Sequence, residues 1–386
     1  MARFSVFYTG MFRFPDKDAA GKRVLNVVEA LEQIENCDRV IVGGWEQGTL
    51  VEHPILSKTT WLSFSLLDKK LPRKFQKLFN YLFMGCSLIP WMFTNRKRYT
   101  HVIIYNTPFL FTAFCIVISK LSGKKLILDS TEWYESEHMV GGKNGAAAIE
   151  NWCRMFLAYP LIKNVIAISS FLEDYYQKKN INVVKIPPMS KEFYDLKSRK
   201  SNGVAELNLL YAGSPGKKDR LDQFIQLLIG NKKNNRIIKF YIAGITRDAF
   251  IKQFPECGIH GDALDNYCVF LGRIPMEEVI SYYDKIDYCV FFREKKRYAL
   301  AGFPSKYVEA LSHGVPVITN GVGDIAADFP HTGIVFEPSS DDINKLIDVA
   351  YKNKDTLNYS VKEVFEKKYK VSANVDKIND FLECVR

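Results

Sequence analysis

Short apolar runs alternate along this chain with stretches whose apolar residues recur at helical spacing. FSVFY, residues 4–8, is the first run. A loop rich in Gly, Pro and Asp follows, and then a helix with Val24, Val27, Val28 and Leu31 on one face. Residues 39–43, 102–105, 125–129, 164–169 and 183–188 read as further strands, and 109–121, 146–157 and 171–179 as helices between them. Pro187-Pro188 and the polar run LKSRKSNG read as a linker. The alternation then starts again. Strands are expected at 207–212, 239–244, 267–275, 288–292, 315–319 and 333–338, with a helix over 276–287, another over 341–353 and a last one over 372–384. Strands alternating with helices imply parallel sheets, so the expected class is α/β with two Rossmann-like halves. The first covers residues 1–190, the second 205–369, and the segment 370–386 returns to the first half.

The stretch from Tyr288 to Asp324 is the most informative. An apolar strand runs into a polar loop, Arg293 to Gly302, and then into the helix FPSKYVEALSHG. Pro304 suits the first turn, Tyr307, Val308 and Leu311 form an apolar face, and Gly314 ends the helix behind His313. Ligands of open parallel sheets bind at the carboxyl ends of the strands. The helix would turn its positive N-terminal end toward an anion there, with Ser305, Lys306 and Arg293 nearby. Gly321, Gly323 and Asp324 form a further loop at the mouth of the sheet.

Three other strand ends carry candidate chemistry. After the first strand, Gly10 precedes Arg13, Lys22 and Arg23, which are possible phosphate contacts. After residues 125–129 comes DSTEWYESEH, which places Asp129, Glu132, Glu135, Glu137 and His138 near the sheet mouth. Carboxylates there can act as acids, bases or acceptors for sugar hydroxyls, or form an acidic loop facing water. Glu132 lies close behind the strand and is the preferred candidate. After residues 207–212, Gly213, Ser214, Pro215 and Gly216 lead into Lys217, Lys218 and Arg220, where glycines allow close backbone approach to an anion. G-x-G-x-x-G and Walker patterns are missing, so nothing points to NAD or ATP.

Composition narrows this picture. The chain has 386 residues, enough for two domains, with 47% hydrophobic and 25% charged residues. Its eight cysteines lack metal-type spacing and read as reduced thiols. No secretory signal is expected before the first strand, and the expected setting is the cytoplasm. The net charge of +10 suits phosphate-rich ligands, a membrane surface or nucleic acid, but no nucleic-acid motif supports the last. From Lys58 to Arg98 there are nine Lys/Arg and one acid, Asp68, around the apolar run FNYLFMGCSLIPWMF. That run is shorter than the ~20 residues that span a bilayer. It reads either as an interfacial element on an anionic membrane surface or as a buried helix with a solvated basic edge.

GFPSKYVEALSHGVPVITN resembles the donor-binding segment of retaining GT-B glycosyltransferases of the family 4 type. The resemblance is closest to bacterial enzymes that build capsular, teichoic or O-antigen polysaccharides. The EWY segment and the loop after 207–212 share it, and it extends over most of the chain. It implies a nucleotide-sugar donor, with UDP favoured, held without a metal or other cofactor. Glu309 would bind the ribose hydroxyls, and Gly272, Arg273 and Ile274 the base. Gly213, Gly216 and Lys218 would hold the diphosphate, with Arg293 as its second cation and Ser305, Lys306 and Tyr307 at the helix start. Glu132, Arg293 and Lys218 would be the catalytic groups. Gly10, Arg13, Lys22, Glu132 and His138 would lie on the side of a lipid-linked or oligosaccharide acceptor. The family often carries another Glu eight residues before the ribose-binding one, and here that position is Ala301. The implied reaction is hexosyl transfer with retention, in cell-surface glycan synthesis on the inner face of the membrane. Two alternatives stay open: a GT-B sugar-nucleotide epimerase, and a non-catalytic sugar-nucleotide-binding or scaffold protein, which Ala301 would suit. A glycogen-phosphorylase-like enzyme is disfavoured, because no pyridoxal-phosphate lysine motif is evident.

Overall fold

The computed structural model describes residues 3–45, 50–64, 79, 82–139, 141–194, 206–216, 219–231, 236–259 and 261–385. The chain divides into two units. Unit 1 comprises Met1–Lys191, Leu300–Phe303 and Val371–Arg386, and unit 2 comprises Glu192–Ala299 and Pro304–Lys370.

Unit 1 contains strands β1 (Phe4–Gly10), β2 (Cys37–Trp45), β3 (His53–Pro54), β4 (Thr59–Phe64), β5 (His101–Tyr105), β6 (Lys125–Ser130), β7 (Asn164–Ala167) and β8 (Asn182–Lys185). They form one sheet in the order β3-β4-β2-β1-β5-β6-β7-β8, parallel except for β3. The helices are α1 (Ala19–Gln33), α2 (Ile89–Thr94), α3 (Phe109–Ser122), α4 (Ala146–Cys153) and α5 (Ser170–Gln177). Central strands covered on both faces need apolar side chains on both faces. This is why Val102, Ile103 and Ile104 are all buried. Asp18 starts α1 by accepting the Gly21 amide at 2.7 Å.

Unit 2 contains β9 (Glu206–Ala212), β10 (Ile237–Ala243), β11 (Cys268–Gly272), β12 (Tyr288–Val290), β13 (Val317–Thr319) and β14 (Gly333–Val335). Its sheet is parallel in the order β11-β10-β9-β12-β13-β14. Its helices are α6 (Leu221–Gly230), α7 (Arg247–Gln253), α8 (Pro255–Gly258), α9 (Gly261–Tyr267), α10 (Met276–Tyr283), the first three residues of α11 (Arg297–Ala301), α12 (Ser305–Ser312) and α13 (Ile343–Val364). The last helix, α14 (Val375–Glu383), belongs to unit 1, where Ile378, Phe381 and Leu382 join the core that holds Val24 and Val28.

The structure departs from the sequence pattern in three places. Strands β3 and β4 lie where no strand was expected, β4 within the basic stretch that starts at Lys58. Glu32 anchors the start of β4 by accepting from the Lys58 amide at 2.8 Å and Thr59 Oγ1 at 2.6 Å. The polar loop 293–302 contains α11. The described part of the apolar run at 79–93 is no single helix, because a 3-10 turn at Cys86–Leu88 precedes α2. Residues 65–78, 80 and 81 of that basic segment, and the linker at 195–205, lie outside the described residues.

His101 opens β5 and is paired in register with Lys125 of β6. Burial, and then the Lys125 charge, depress its imidazole from 6.5 to about 4. Between these values the unfolded chain takes up a proton that the folded chain does not, so stability falls as pH drops through that window. His101→Gln is expected to flatten this slope in denaturation midpoints measured from neutral pH down to about 4. An unchanged slope would rule His101 out as its source.

Candidate donor and acceptor sites

In unit 2, side chains from three strand ends converge. Gly213 follows β9 with φ +136°, and a Cβ there would lie 2.8 Å from Lys306 Cε and 2.9 Å from Nζ. The positive φ favours glycine here, and the missing side chain leaves room for Lys306 at the end of β9. The Lys306 ammonium lies 5.1 Å from the centre of the Tyr211 ring, a cation–π contact. Burial, and then Asp219, raise the Tyr211 phenol above its usual range, while Arg293 opposes the shift. Asp219 and Arg293 thus share the neighbourhood of Lys306.

Arg293 follows β12, and its backbone is clamped on both sides by Asn320. Its amide donates to Asn320 Oδ1 at 3.1 Å, and its carbonyl accepts from Asn320 Nδ2 at 2.7 Å. Glu337 Oε2 lies 3.3 Å from the same Nδ2, and Glu337 is ion-paired with Arg220 at 2.6 Å. Arg220 is therefore a structural cation, held in left-handed backbone conformation (φ +49°).

Glu309 is half-buried on α12. Its carboxylate neighbours the Tyr283 phenol, which burial first and Glu309 next push well above the usual range. Behind it, His313 is stacked between Tyr283 at 4.3 Å and Tyr194 at 4.7 Å. His313 Nδ1 lies 2.9 Å from the Glu309 carbonyl, and a carbonyl only accepts, so Nδ1 carries the proton. This stack fixes the helix end that carries Glu309. Gly272 (φ +68°) ends β11, with exposed Arg273 and half-buried Ile274 after it. In the strand order β11-β10-β9-β12, that end stands two strands from Gly213. At roughly 4.8 Å per strand, this is about 10 Å.

Several expected donor contacts are arranged differently. Tyr307 is turned into the interior, where its hydroxyl donates to Asp328 at 2.8 Å. Its amide closes a turn onto the Pro304 carbonyl. The Gly216 amide is taken by Asp219 Oδ2 at 2.7 Å, which closes the loop on itself instead of leaving that N–H open to a phosphate. Ser305 is exposed at the start of α12. Lys218 lies outside the described residues.

In unit 1, Gly10, Tyr105 and Glu132 stand at or just past the ends of the adjacent strands β1, β5 and β6. A Cβ on Gly10 would come within 2.2 Å of the Tyr105 carbonyl oxygen. Glu132 is exposed, and after burial its charge is the next influence raising the Tyr105 phenol. Arg13 is exposed, with its guanidinium 5.6 Å from the Trp45 ring centre, and Lys22 is half-buried on α1. His138 sits in the 3-10 turn Ser136–His138, and its side chain lies outside the described part. Arg23 and Asp129 leave the list of ligand candidates, because they pair with each other in the core. Arg23 Nη2 lies 2.7 Å from Asp129 Oδ1, with side-chain exposures of 5% and 0%. Tyr8 donates to the same carboxylate, and Arg23 Nη1 donates to the Ile186 carbonyl at 3.1 Å.

Residues 196–382 match the family described as "Glycosyl transferases group 1". Among solved structures, sucrose-phosphate synthase from Thermosynechococcus elongatus superposes with TM-score 0.73 at 15% identity, covering 99% of each chain. Anabaena HepE in complex with UDP and glucose gives 0.66 at 14%, covering 99% of this chain and 100% of that one. WaaG, a glycosyltransferase involved in lipopolysaccharide biosynthesis, gives 0.61 at 13%, covering 97% and 98%. The chain has the GT-B fold. No curated protein sequence matches it. The Lys306–Arg293 cluster and Glu309 thus lie in the segment with the group 1 glycosyl transferase pattern, at the strand ends of the second GT-B sheet. Sequence reasoning missed Tyr211, Asp219, Asn320, Glu337 and the Tyr194–His313–Tyr283 stack. Nothing local in the sequence marks Asn320 as the clamp on Arg293. No described helix is long and apolar enough to cross a membrane. The described residues contain no cluster of three His, Cys, Asp or Glu that could hold a metal ion.

Proposed function

We propose that this chain is a retaining glycosyltransferase. It moves a hexosyl group from a nucleotide diphosphate sugar, with UDP favoured, to a lipid-linked or polysaccharide acceptor in cell-surface glycan synthesis. The observation that carries the reading is Lys306 lying against Gly213 and over the Tyr211 ring at the end of β9, with Arg293 close enough for its charge to act on the Tyr211 phenol. Bond cleavage at the anomeric carbon leaves growing negative charge on the departing diphosphate. Two cations, aided by the N-terminal end of α12, stabilise that charge as it develops. Both cations bind phosphate directly, so the reading needs no metal. Lys218 would add a third cation. Glu309 receives the ribose hydroxyls, and the backbone at Gly272, Arg273 and Ile274 receives the base. On the acceptor side, Glu132 beside Gly10, with Arg13, Lys22 and His138, would orient or deprotonate the incoming hydroxyl. Residues 58–98 would hold the enzyme against the anionic inner face of the membrane. The UDP complex of HepE and the lipopolysaccharide role of WaaG are in keeping with this assignment.

Incubating the protein with UDP-sugars, with and without a membrane lipid extract as acceptor source, tests the reaction class. Free UDP released only when acceptor is present is the expected result. A new nucleotide-sugar formed without acceptor would indicate an epimerase. Binding without turnover would favour the non-catalytic reading.

A further inference from the structure

Helices α3 and α4 of unit 1 carry apolar side chains on their outer as well as their inner faces. On α3 Phe111, Thr112, Cys115 and Ser119 are buried, while Phe114, Val117 and Leu121 face water at 45%, 52% and 84% exposure. On α4 and the π-helical turn that continues it, Ala148, Glu150, Asn151, Arg154, Met155 and Ala158 are buried, while Ile149, Trp152 and Phe156 are outside at 56%, 54% and 45%. A surface helix ordinarily keeps its outer face polar. Exposed apolar side chains gathered on neighbouring helices mark an interaction surface. Between the two helices lies an open groove of about 320 Å³, lined by Leu82, Phe109, Leu110, Ile149, Cys153 and neighbours. That is the lower end of the roughly 300–1,000 Å³ found for ligand pockets. The acid of the lining, Glu150, is turned inward and accepts the Phe109 amide at 2.8 Å.

Charge decides the occupant. Residues 82–128, all of them described, contain six Lys/Arg and no Asp or Glu. Lys120 closes the last turn of α3, and Lys124 follows it. Arg96 lies close enough to Lys124 for its charge, after burial, to depress that ammonium. The Arg96 guanidinium in turn sits 4.7 Å from the ring centre of Phe93, which is 58% exposed. A second copy docked through this face in a two-fold dimer would set basic rims against each other with no acids from this segment to pair them. An anionic lipid surface satisfies both the apolar face and the basic rim. We infer that the α3–α4 face of unit 1 docks on an anionic bilayer and that a lipid hydrocarbon chain enters the groove between the two helices. This goes beyond the membrane contact proposed above for residues 58–98, and it does not depend on the transfer reaction.

The test is flotation of the full-length protein with phosphatidylcholine vesicles, with and without phosphatidylglycerol. It compares wild type with Leu121→Glu, Trp152→Glu and the double variant Lys120→Gln/Lys124→Gln. These sites are at the surface, and unchanged circular dichroism and UDP binding would establish that the variants are folded. Wild type is expected to float only with the anionic vesicles. Each carboxylate should weaken binding at least tenfold, and the lysine pair should weaken it by roughly the five-fold per charge expected for surface lysines. Lipids brominated in the acyl chain should quench a component of the fluorescence that Trp152→Phe lacks. Vesicle binding equal in all variants would overturn the inference while leaving a membrane contact elsewhere. No vesicle binding, or self-association in the ultracentrifuge abolished by the same substitutions, would also overturn it. Nucleotide binding recorded on the same samples reports separately on the donor site.

Discussion

Replacing Arg293 with alanine is expected to lower kcat/KM for sugar transfer by about 10²–10³-fold, the loss typical when a preorganised group that stabilises developing negative charge is removed. The size of the effect follows from how rigidly the residue is held. Asn320 bonds both the amide and the carbonyl of Arg293, and Glu337 and Arg220 extend that support. The backbone from which the guanidinium projects is therefore fixed before the leaving diphosphate develops its charge. Because the cation acts most strongly in the transition state, kcat should fall more than KM rises. Arg293→Lys should recover part of the loss, since charge returns without the planar fork. Steady-state kinetics with a UDP-sugar and acceptor would check this. A loss below about threefold would remove Arg293 from the mechanism proposed here.

The largest expected effect on stability lies in the other unit. Asp129→Ala leaves the Arg23 guanidinium buried without its counter-charge. Burial opposes the charge on Arg23, and Asp129 outweighs it, so the arginine is held above its ordinary pKa. Removing one member of such a pair costs about 3–5 kcal/mol. Replacing both partners with apolar residues, as in Arg23→Met/Asp129→Leu, should restore most of that stability, because no uncompensated charge remains. Tyr8 would still lose its acceptor, so restoration should be incomplete. Guanidinium denaturation followed through the unit 1 transition measures both steps. A single variant within about 1 kcal/mol of wild type, or a double variant no better than the single, would contradict the account.

The same pair illustrates what the sequence concealed. Arg23 and Asp129 are 106 positions apart, and each stands near a strand end where ligand contacts are expected. Nothing local distinguishes a ligand-binding charge from one neutralised within the core. The strands, by contrast, were legible, because β1, β5, β6 and β9 are compact apolar runs bounded by polar loops. Strands β3 and β4 were not, since their tie to α1 runs through Glu32, more than twenty residues away. In unit 2, Gly213, Arg293 and Lys306 stood out for their places at strand ends and a helix start; the structure sets Lys306 against Gly213, and the Arg293 charge acts on the Tyr211 ring beneath Lys306. Tyr307 showed equally well as part of an apolar helical face, and that pattern, rather than its place near the helix start, determines where its side chain goes. Asn320 and Tyr283 draw their importance from the neighbours that folding gives them. The outward apolar residues of α3 were hidden for a different reason, because an apolar helix reads as buried until one sees which face meets the sheet.

The donor site is the centre of the account, and calorimetric titration of UDP, GDP and CMP tests it most directly. The titrations compare wild type with Glu309→Ala at moderate salt, with and without a chelator. Micromolar binding of one diphosphate, UDP favoured, that is indifferent to chelator and weakened by the substitution is the expected result. Binding that ignores Glu309, or the absence of nucleotide binding by folded protein, would contradict it.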